Sequence, residues 1–277
     1  RAAAGGAAAG GAWARRVWDR MLVGGSGRAY VERMHRRAQI VGRAGTDGTF
    51  GGLPPGSYGG NAPADVVVYP YLMSLHNQFI LDNALRAQAQ GYDVFAIGSV
   101  QDPGLEEARS LVDIPVVGYG ESAMHLACCL GSRFAVIAFH AGFDQMMDLR
   151  IRKLGLADRA LPTLLMEADF AAVGKALDDP GEVLDRFSAT ARKAVERGAE
   201  AIIPGQLYLS EAIARAGVTR IDDVPIVDGL TATLKMAEIM VDMKRLGIQV
   251  TRRGYTHARP PDEMIEQARR VHGRPEL

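Results

Sequence analysis

Short apolar runs alternate along this chain with longer helical patterns, and no other feature constrains the fold as much. A strand, a helix and a second strand make a βαβ unit, and a series of such units builds a largely parallel sheet covered by helices. The pattern predicts strands at Arg16–Val23, Thr46–Gly52, Asp93–Ile97, Pro115–Gly118, Phe134–Phe139, Leu161–Leu165, Ala201–Pro204 and Pro225–Val227. Helices are expected at Arg28–Val41, Ser74–Gln90, Gly104–Leu111, Glu121–Leu130, Gly142–Leu154, Glu182–Arg197, Leu209–Ala216 and Gly229–Lys244, with a short last one at Asp262–His272. Gly91 and Gly198 end two of them, where a left-handed cap suits glycine.

The chain also repeats itself. Gly91-Tyr92-Asp93-Val94-Phe95-Ala96-Ile97-Gly98-Ser99 matches Gly198-Ala199-Glu200-Ala201-Ile202-Ile203-Pro204-Gly205-Gln206. Asp113-Ile114-Pro115-Val116-Val117 then matches Asp223-Val224-Pro225-Ile226-Val227, in the same order and a few residues out of step. Two ordered matches predict two similar α/β lobes. The expected organisation is an unpacked Ala/Gly-rich extension over 1–14, a first lobe from 15–122 plus 230–248, a second from 123–229, and a polar, Arg-rich tail over 249–277. Ligands of parallel sheets bind beyond the carboxyl ends of the strands. Ser99 and Gln206 hold equivalent positions there.

Composition narrows the partners. The 277 residues carry 32 Lys+Arg and 32 Asp+Glu, so there is no overall electrostatic footprint for nucleic acid or an anionic membrane. The apolar run from Asp65 to Leu75 is broken by Pro70 and too short to span a bilayer. The two cysteines, Cys128 and Cys129, are adjacent, which suits neither a disulfide framework nor a zinc site and points to a reduced, cytoplasmic protein. Both are expected to be buried in a helix, with Met124, Leu126, Met146 and Met147 as core. The turn Gly24-Gly25-Ser26-Gly27 has Tyr30 where a dinucleotide fingerprint needs its third glycine, so no cofactor is expected, and the turn suits at most a small anion. Arg33, Arg36 and Arg37 read as a solvated helix face.

Ile97-Gly98-Ser99-Val100-Gln101-Asp102-Pro103-Gly104-Leu105 and Pro115-Val116-Val117-Gly118-Tyr119-Gly120-Glu121 resemble strand-end motifs of the aspartate/glutamate/hydantoin racemase superfamily. Ile202-Ile203-Pro204-Gly205 and Pro225-Ile226-Val227-Asp228-Gly229 resemble their second-lobe counterparts, and Asp102-Pro103-Gly104-Leu105 points to the hydantoin-racemase branch. The similarity runs from about Val17 to Lys244. It implies two pseudo-symmetric Rossmann-like lobes with parallel sheets and an inter-lobe cleft, a small-molecule substrate, no cofactor and a homo-oligomer. It also implies one cysteine per lobe, on opposite faces of an acidic carbon, one to remove a proton and one to return it. Here those positions hold Ser99 and Gln206. A serine alkoxide is inaccessible without an activator and glutamine transfers no proton at ordinary pH, so a thiol pair cannot operate.

The remaining candidates sit at strand ends or helix starts. Ser99 and Gln206 are expected to orient a small carboxylate or cyclic amide. His140, after the strand Phe134–Phe139, and Glu121, in a first helical turn, are the proton-transfer candidates. Gly98, Val100, Tyr119, Gly120, Gly205, Leu207 and Tyr208 are expected to line the site, and amides near Glu121 to hold a substrate carboxylate. Asp102 is expected to cap the helix that follows it. The alternative is a non-catalytic binding or regulatory protein with the same cleft.

Overall fold

A computed structural model describes residues 15–20, 28–52, 56–61 and 66–274. The Ala/Gly-rich start, the end of the predicted first strand and the Gly24–Gly27 turn lie outside the described residues. In chain order the first part holds β1 (Arg15–Arg20), α1 (Arg28–Val41), β2 (Thr46–Gly51), α2 (Pro70–Ala89), β3 (Val94–Ile97), α3 (Leu105–Leu111), β4 (Val116–Gly118) and α4 (Tyr119–Leu130). Next come β5 (Phe134–Ala138), α5 (Phe143–Lys153), β6 (Leu164–Leu165), α6 (Phe170–Lys175), α7 (Gly181–Glu196), β7 (Ala201–Pro204) and α8 (Leu207–Arg215). The last elements are β8 (Arg220–Ile221), β9 (Val224–Pro225), α9 (Gly229–Arg245) and α10 (Asp262–Val271).

Two parallel sheets result, ordered β2-β1-β3-β4 and β6-β5-β7. Strands β3 and β5 are apolar throughout and fully buried, as helices on both faces of a parallel sheet require. The internal repeat survives in the pairing. Phe95 stands beside Val116 in the first sheet, and the equivalent Ile202 forms a parallel bridge with Ile226 in the second. Gly91 and Gly198 both have positive φ, 73° and 91°, where each ends its helix.

Three elements differ from expectation. Pro225–Val227 is not a full parallel strand: Val224–Pro225 pairs antiparallel with Arg220–Ile221, and Ile226 alone bridges to β7. Helix α2 starts at Pro70, ahead of Ser74, because proline is preorganised for the first helical position and its missing N–H is no loss there. Helix α6 was not anticipated; Asp169 caps it by accepting from the Ala172 N–H at 2.7 Å. Among the expected core residues, Leu126 is exposed, as is Cys129, and Cys128 is half-buried. Helix α4 turns that face away from the sheet.

Helix α9 leaves the second sheet and packs on α4 and β3 of the first. Its fully buried Glu238 accepts from the Arg43 N–H at 2.6 Å, Thr46 Oγ1 at 2.8 Å and Lys235 Nζ at 3.1 Å. The tail returns over the first sheet's helices. Arg252 donates to the Arg109 and Val112 carbonyls, and Arg269 and Arg274 pair with Asp82 at 2.7 and 2.9 Å. No helix among the described residues is long and apolar enough to cross a membrane.

Candidate functional site

The carboxyl ends of the two sheets meet at Tyr119. This residue follows β4, is completely buried, and donates its hydroxyl to the carbonyl of Pro204, the last residue of β7, at 3.3 Å. Its ring lies against Gly229, where any side chain would overlap it. Burial, reinforced by the negative charge of Asp228, pushes the Tyr119 phenol well above its ordinary pKa. Tyr119 is therefore a joint between the sheets and not a wet cleft residue. Ser99 stands two residues beyond β3, the neighbour of β4, and Gln206 two beyond β7.

The turn after β3 is held by Asp102, which is fully buried at a φ of 48°. It does not cap the helix that follows. Its carboxylate accepts instead from the Gly120 N–H at 2.8 Å and the Glu121 N–H at 2.7 Å, capping α4 from across the fold. This contact explains why glycines stand at 118 and 120. A side chain at Gly118 would overlap the Asp102 carboxylate, and one at Gly120 would overlap the Val100 carbonyl oxygen. It also corrects the expected anion site, because the amides of Gly120 and Glu121 are already occupied by Asp102.

Arg150 reaches in from α5, donating to Asp102 at 3.1 Å and to Glu106 at 2.6 Å, and is itself buried. Burial raises the Asp102 pKa from 3.8 to about 7, against the pull of Arg150 and the two N–H groups. Glu121 is gripped by both terminal nitrogens of Arg109, whose Nε also donates to the Val116 carbonyl at 3.1 Å. Both carboxylate oxygens are thus engaged by the guanidinium, so the carboxylate serves as an anchor for Arg109 and is poorly placed to act as a base.

Gln206 is the N-cap of α8, its Oε1 accepting from the Leu209 N–H at 3.0 Å. The side-chain carbonyl is committed to the helix, and the amide nitrogen has no acceptor among the described residues. His140 lies beyond β5, with Nδ1 at 2.9 Å from the Ala141 carbonyl oxygen. Gly98, Val100, Tyr119, Gly120, Gly205 and Leu207 are buried, whereas Ser99, His140, Gln206 and Tyr208 are half-exposed. Gly205 also abuts the Ile137 carbonyl, so β5 and β7 approach closely where their ends carry His140 and Gln206.

Two aromatic contributions went unread in the sequence. Phe139, Phe170 and Tyr208 form a row with ring centroids 5.7 and 6.1 Å apart. Tyr58, from the loop after β2, stacks on His76 at 4.9 Å, and its phenol pKa is pushed up by burial and by the nearby Tyr208. The imidazole of His76 is itself hydrogen-bonded at both nitrogens, to the Leu72 and Ser57 carbonyls. The sequence signal was a Pro/Gly-rich loop carrying a tyrosine at a strand's carboxyl end.

Comparison with known proteins agrees with this architecture. Residues 23–237 match the family model described as Asp/Glu/Hydantoin racemase. A hydantoin racemase from Pseudomonas sp. (strain NS671) is 30% identical over 168 residues, 59% of this chain and 64% of that protein. Another from Rhizobium meliloti is 30% identical over 165 residues, covering 56% and 63%. The alignments thus span less than two thirds of those relatives' lengths. Among solved structures, an allantoin racemase from Klebsiella pneumoniae superposes with a TM-score of 0.74 at 22% identity, over 90% of this chain and 95% of that one. An allantoin racemase from Pseudomonas fluorescens gives 0.69 at 24% identity, over 88% and 97%. These structures share the fold. With most of its length matched by the family model, and with two parallel sheets joined at their carboxyl ends, the chain belongs to the Asp/Glu/hydantoin racemase family.

Proposed function

We propose that this protein acts on a small carboxylate or cyclic amide, hydantoin-like in its chemistry, bound between the carboxyl ends of the two sheets, and that it does so without a thiol pair. The observation that carries this reading is the exposure pattern. Ser99, His140, Gln206 and Tyr208 are half-exposed just beyond strands that are buried throughout. Ser99 would donate to a substrate carbonyl or carboxylate, and the Gln206 amide nitrogen would donate from the other sheet. With Glu121 tied to Arg109, His140 is the better placed of the two proton-transfer candidates. An imidazole can both take a proton from a carbon acid and return one.

The test is deuterium incorporation at the acidic carbon of 5-substituted hydantoins and of allantoin, followed by proton NMR in heavy water. The parent is expected to catalyse exchange, and His140→Gln to lower the rate about 100-fold, the scale of a lost general base. Unchanged exchange in His140→Gln would remove the assignment. A second reading, binding without catalysis, is favoured by Gln206 acting as a helix cap and Glu121 as an ion-pair partner. Saturable binding of hydantoin with no exchange in the parent would select it.

A further inference from the structure

Arg33, Arg36 and Arg37 of α1 do not form a plain solvated face. They line a crevice of about 530 Å³ whose other wall includes Glu211 and Arg215 of α8. The volume lies in the range of small-ligand sites, about 300–1,000 Å³. None of the strand-end residues Ser99, His140 or Gln206 lines it.

The side chains in this crevice are incompletely partnered. Arg36 is exposed and has no partner among the described residues. Arg37 pairs with Asp228 at 2.6 Å, yet its Nε is buried with no hydrogen-bond acceptor. Glu211 is 5% exposed and accepts no hydrogen bond among the described residues, although Arg33, Arg37, Arg215 and Asp228 all stand near enough to act on its charge. Burial holds the Glu211 pKa up. Buried polar atoms without partners are uncommon in a finished fold, and the Arg37 Nε, beside a mostly buried carboxylate in the same crevice, points to a missing guest. Arg33 and Arg215 converge on one atom, the Leu177 carbonyl oxygen, at 3.1 and 2.5 Å, which fixes both guanidiniums at the wall.

We propose that the crevice between α1 and α8 binds a small multivalent anion, carrying either a phosphate or several carboxylates. Planar guanidiniums on two walls match the paired oxygens of such a group, Arg36 and the Arg37 Nε supplying donors that the protein leaves unused. Glu211 in its neutral form would donate to the guest rather than repel it. The rim limits the guest's size. Glu32 and Asp178 border the crevice, and the chain as a whole has no net charge, so an extended polyanion would meet repulsion just outside.

The experiment is titration calorimetry of the full chain with inorganic pyrophosphate and, separately, with citrate, each against sodium chloride of equal ionic strength. At least one anion is expected to bind with a Kd below about 1 mM, and the pair of arms tells phosphate from carboxylate chemistry. Arg36→Glu, at an exposed position without partners among the described residues, should keep the ligand-free melting temperature and weaken binding at least tenfold. Glu211→Gln should bind as tightly or more tightly, because the amide keeps a donor there and cannot take on a negative charge. Ser99→Ala should bind like the parent. The proposal is overturned if neither anion binds more tightly than chloride, if Arg36→Glu binds like the parent, or if Ser99→Ala loses binding.

Discussion

Asp102 shows how one side chain can set the geometry of a site it does not face. Its left-handed backbone is uncommon for a residue with a side chain, though aspartate is among those that tolerate it. From there it reaches two amides at the start of α4, and Arg150 approaches from the second sheet's side. Because burial lifts its pKa from 3.8 to about 7, the stability contributed by neutral Asp102 is complete below 3.8 and is lost as pH rises through about 7. Arg150 matters most above that point, where it offsets a buried negative charge. Arg150→Met is therefore expected to destabilise the fold by about 3 kcal/mol at pH 8, the scale of a broken buried ion pair, and by clearly less at pH 5. Glu106, whose pKa is held below the ordinary value despite burial because Arg150 and Lys153 bond to it, is ionised at both pH values and adds a nearly constant amount. Urea unfolding at the two pH values measures the difference; an equal loss at both would contradict this account of Asp102.

At the scale of elements, strands were the most legible part of the sequence. Strands buried on both faces become unbroken apolar runs, as in Val94–Ile97 and Phe134–Ala138, and the glycines at 91 and 198 mark the helix ends before β3 and β7. Short α6 was not legible, since six residues hold too few turns for a helical period to show. The pairing of Val224–Pro225 with Arg220–Ile221 was hidden because an apolar run does not reveal which partner it takes. For the site, the strand-end positions Ser99 and Gln206 were readable, but the partners that commit side chains were not. Asp102 and Gly120 are 18 residues apart, and Arg150 and Asp102 are 48 apart; sequence spacing carries no information about such distances. Gln206 illustrates the cost of that gap. Read as a ligand-binding amide, it is also a helix cap, and Gln206→Ala is expected to lower stability by about 1 kcal/mol with the loss localised to α8. Faster amide hydrogen exchange at Leu209 than elsewhere in that helix would register it.

Over the whole molecule, the two sheets are tied by a few buried contacts rather than by one continuous sheet. Tyr119 joins β4 to β7, Arg150 joins α5 to α3, and α9 crosses from the second sheet to the first. Tyr119→Phe keeps the ring against Gly229 but leaves the Pro204 carbonyl without its donor. A loss of about 1.5 kcal/mol in unfolding free energy is expected, a typical penalty for a stranded buried acceptor. Because the bond spans the sheets, ligand affinity at the strand ends should fall as well, which calorimetry with a hydantoin would detect. The central proposal concerns those strand ends: that Ser99 and Gln206 hold the positions where the sequence resemblance implies proton-transfer thiols. The most direct test is the double substitution Ser99→Cys with Gln206→Cys, followed by deuterium exchange at the acidic carbon of a 5-substituted hydantoin. On that proposal the double variant should exchange at least tenfold faster than the parent, because it would place an acid and a base on opposite faces of one bound carbon. A correctly folded double variant that exchanges no faster than the parent would contradict the claim.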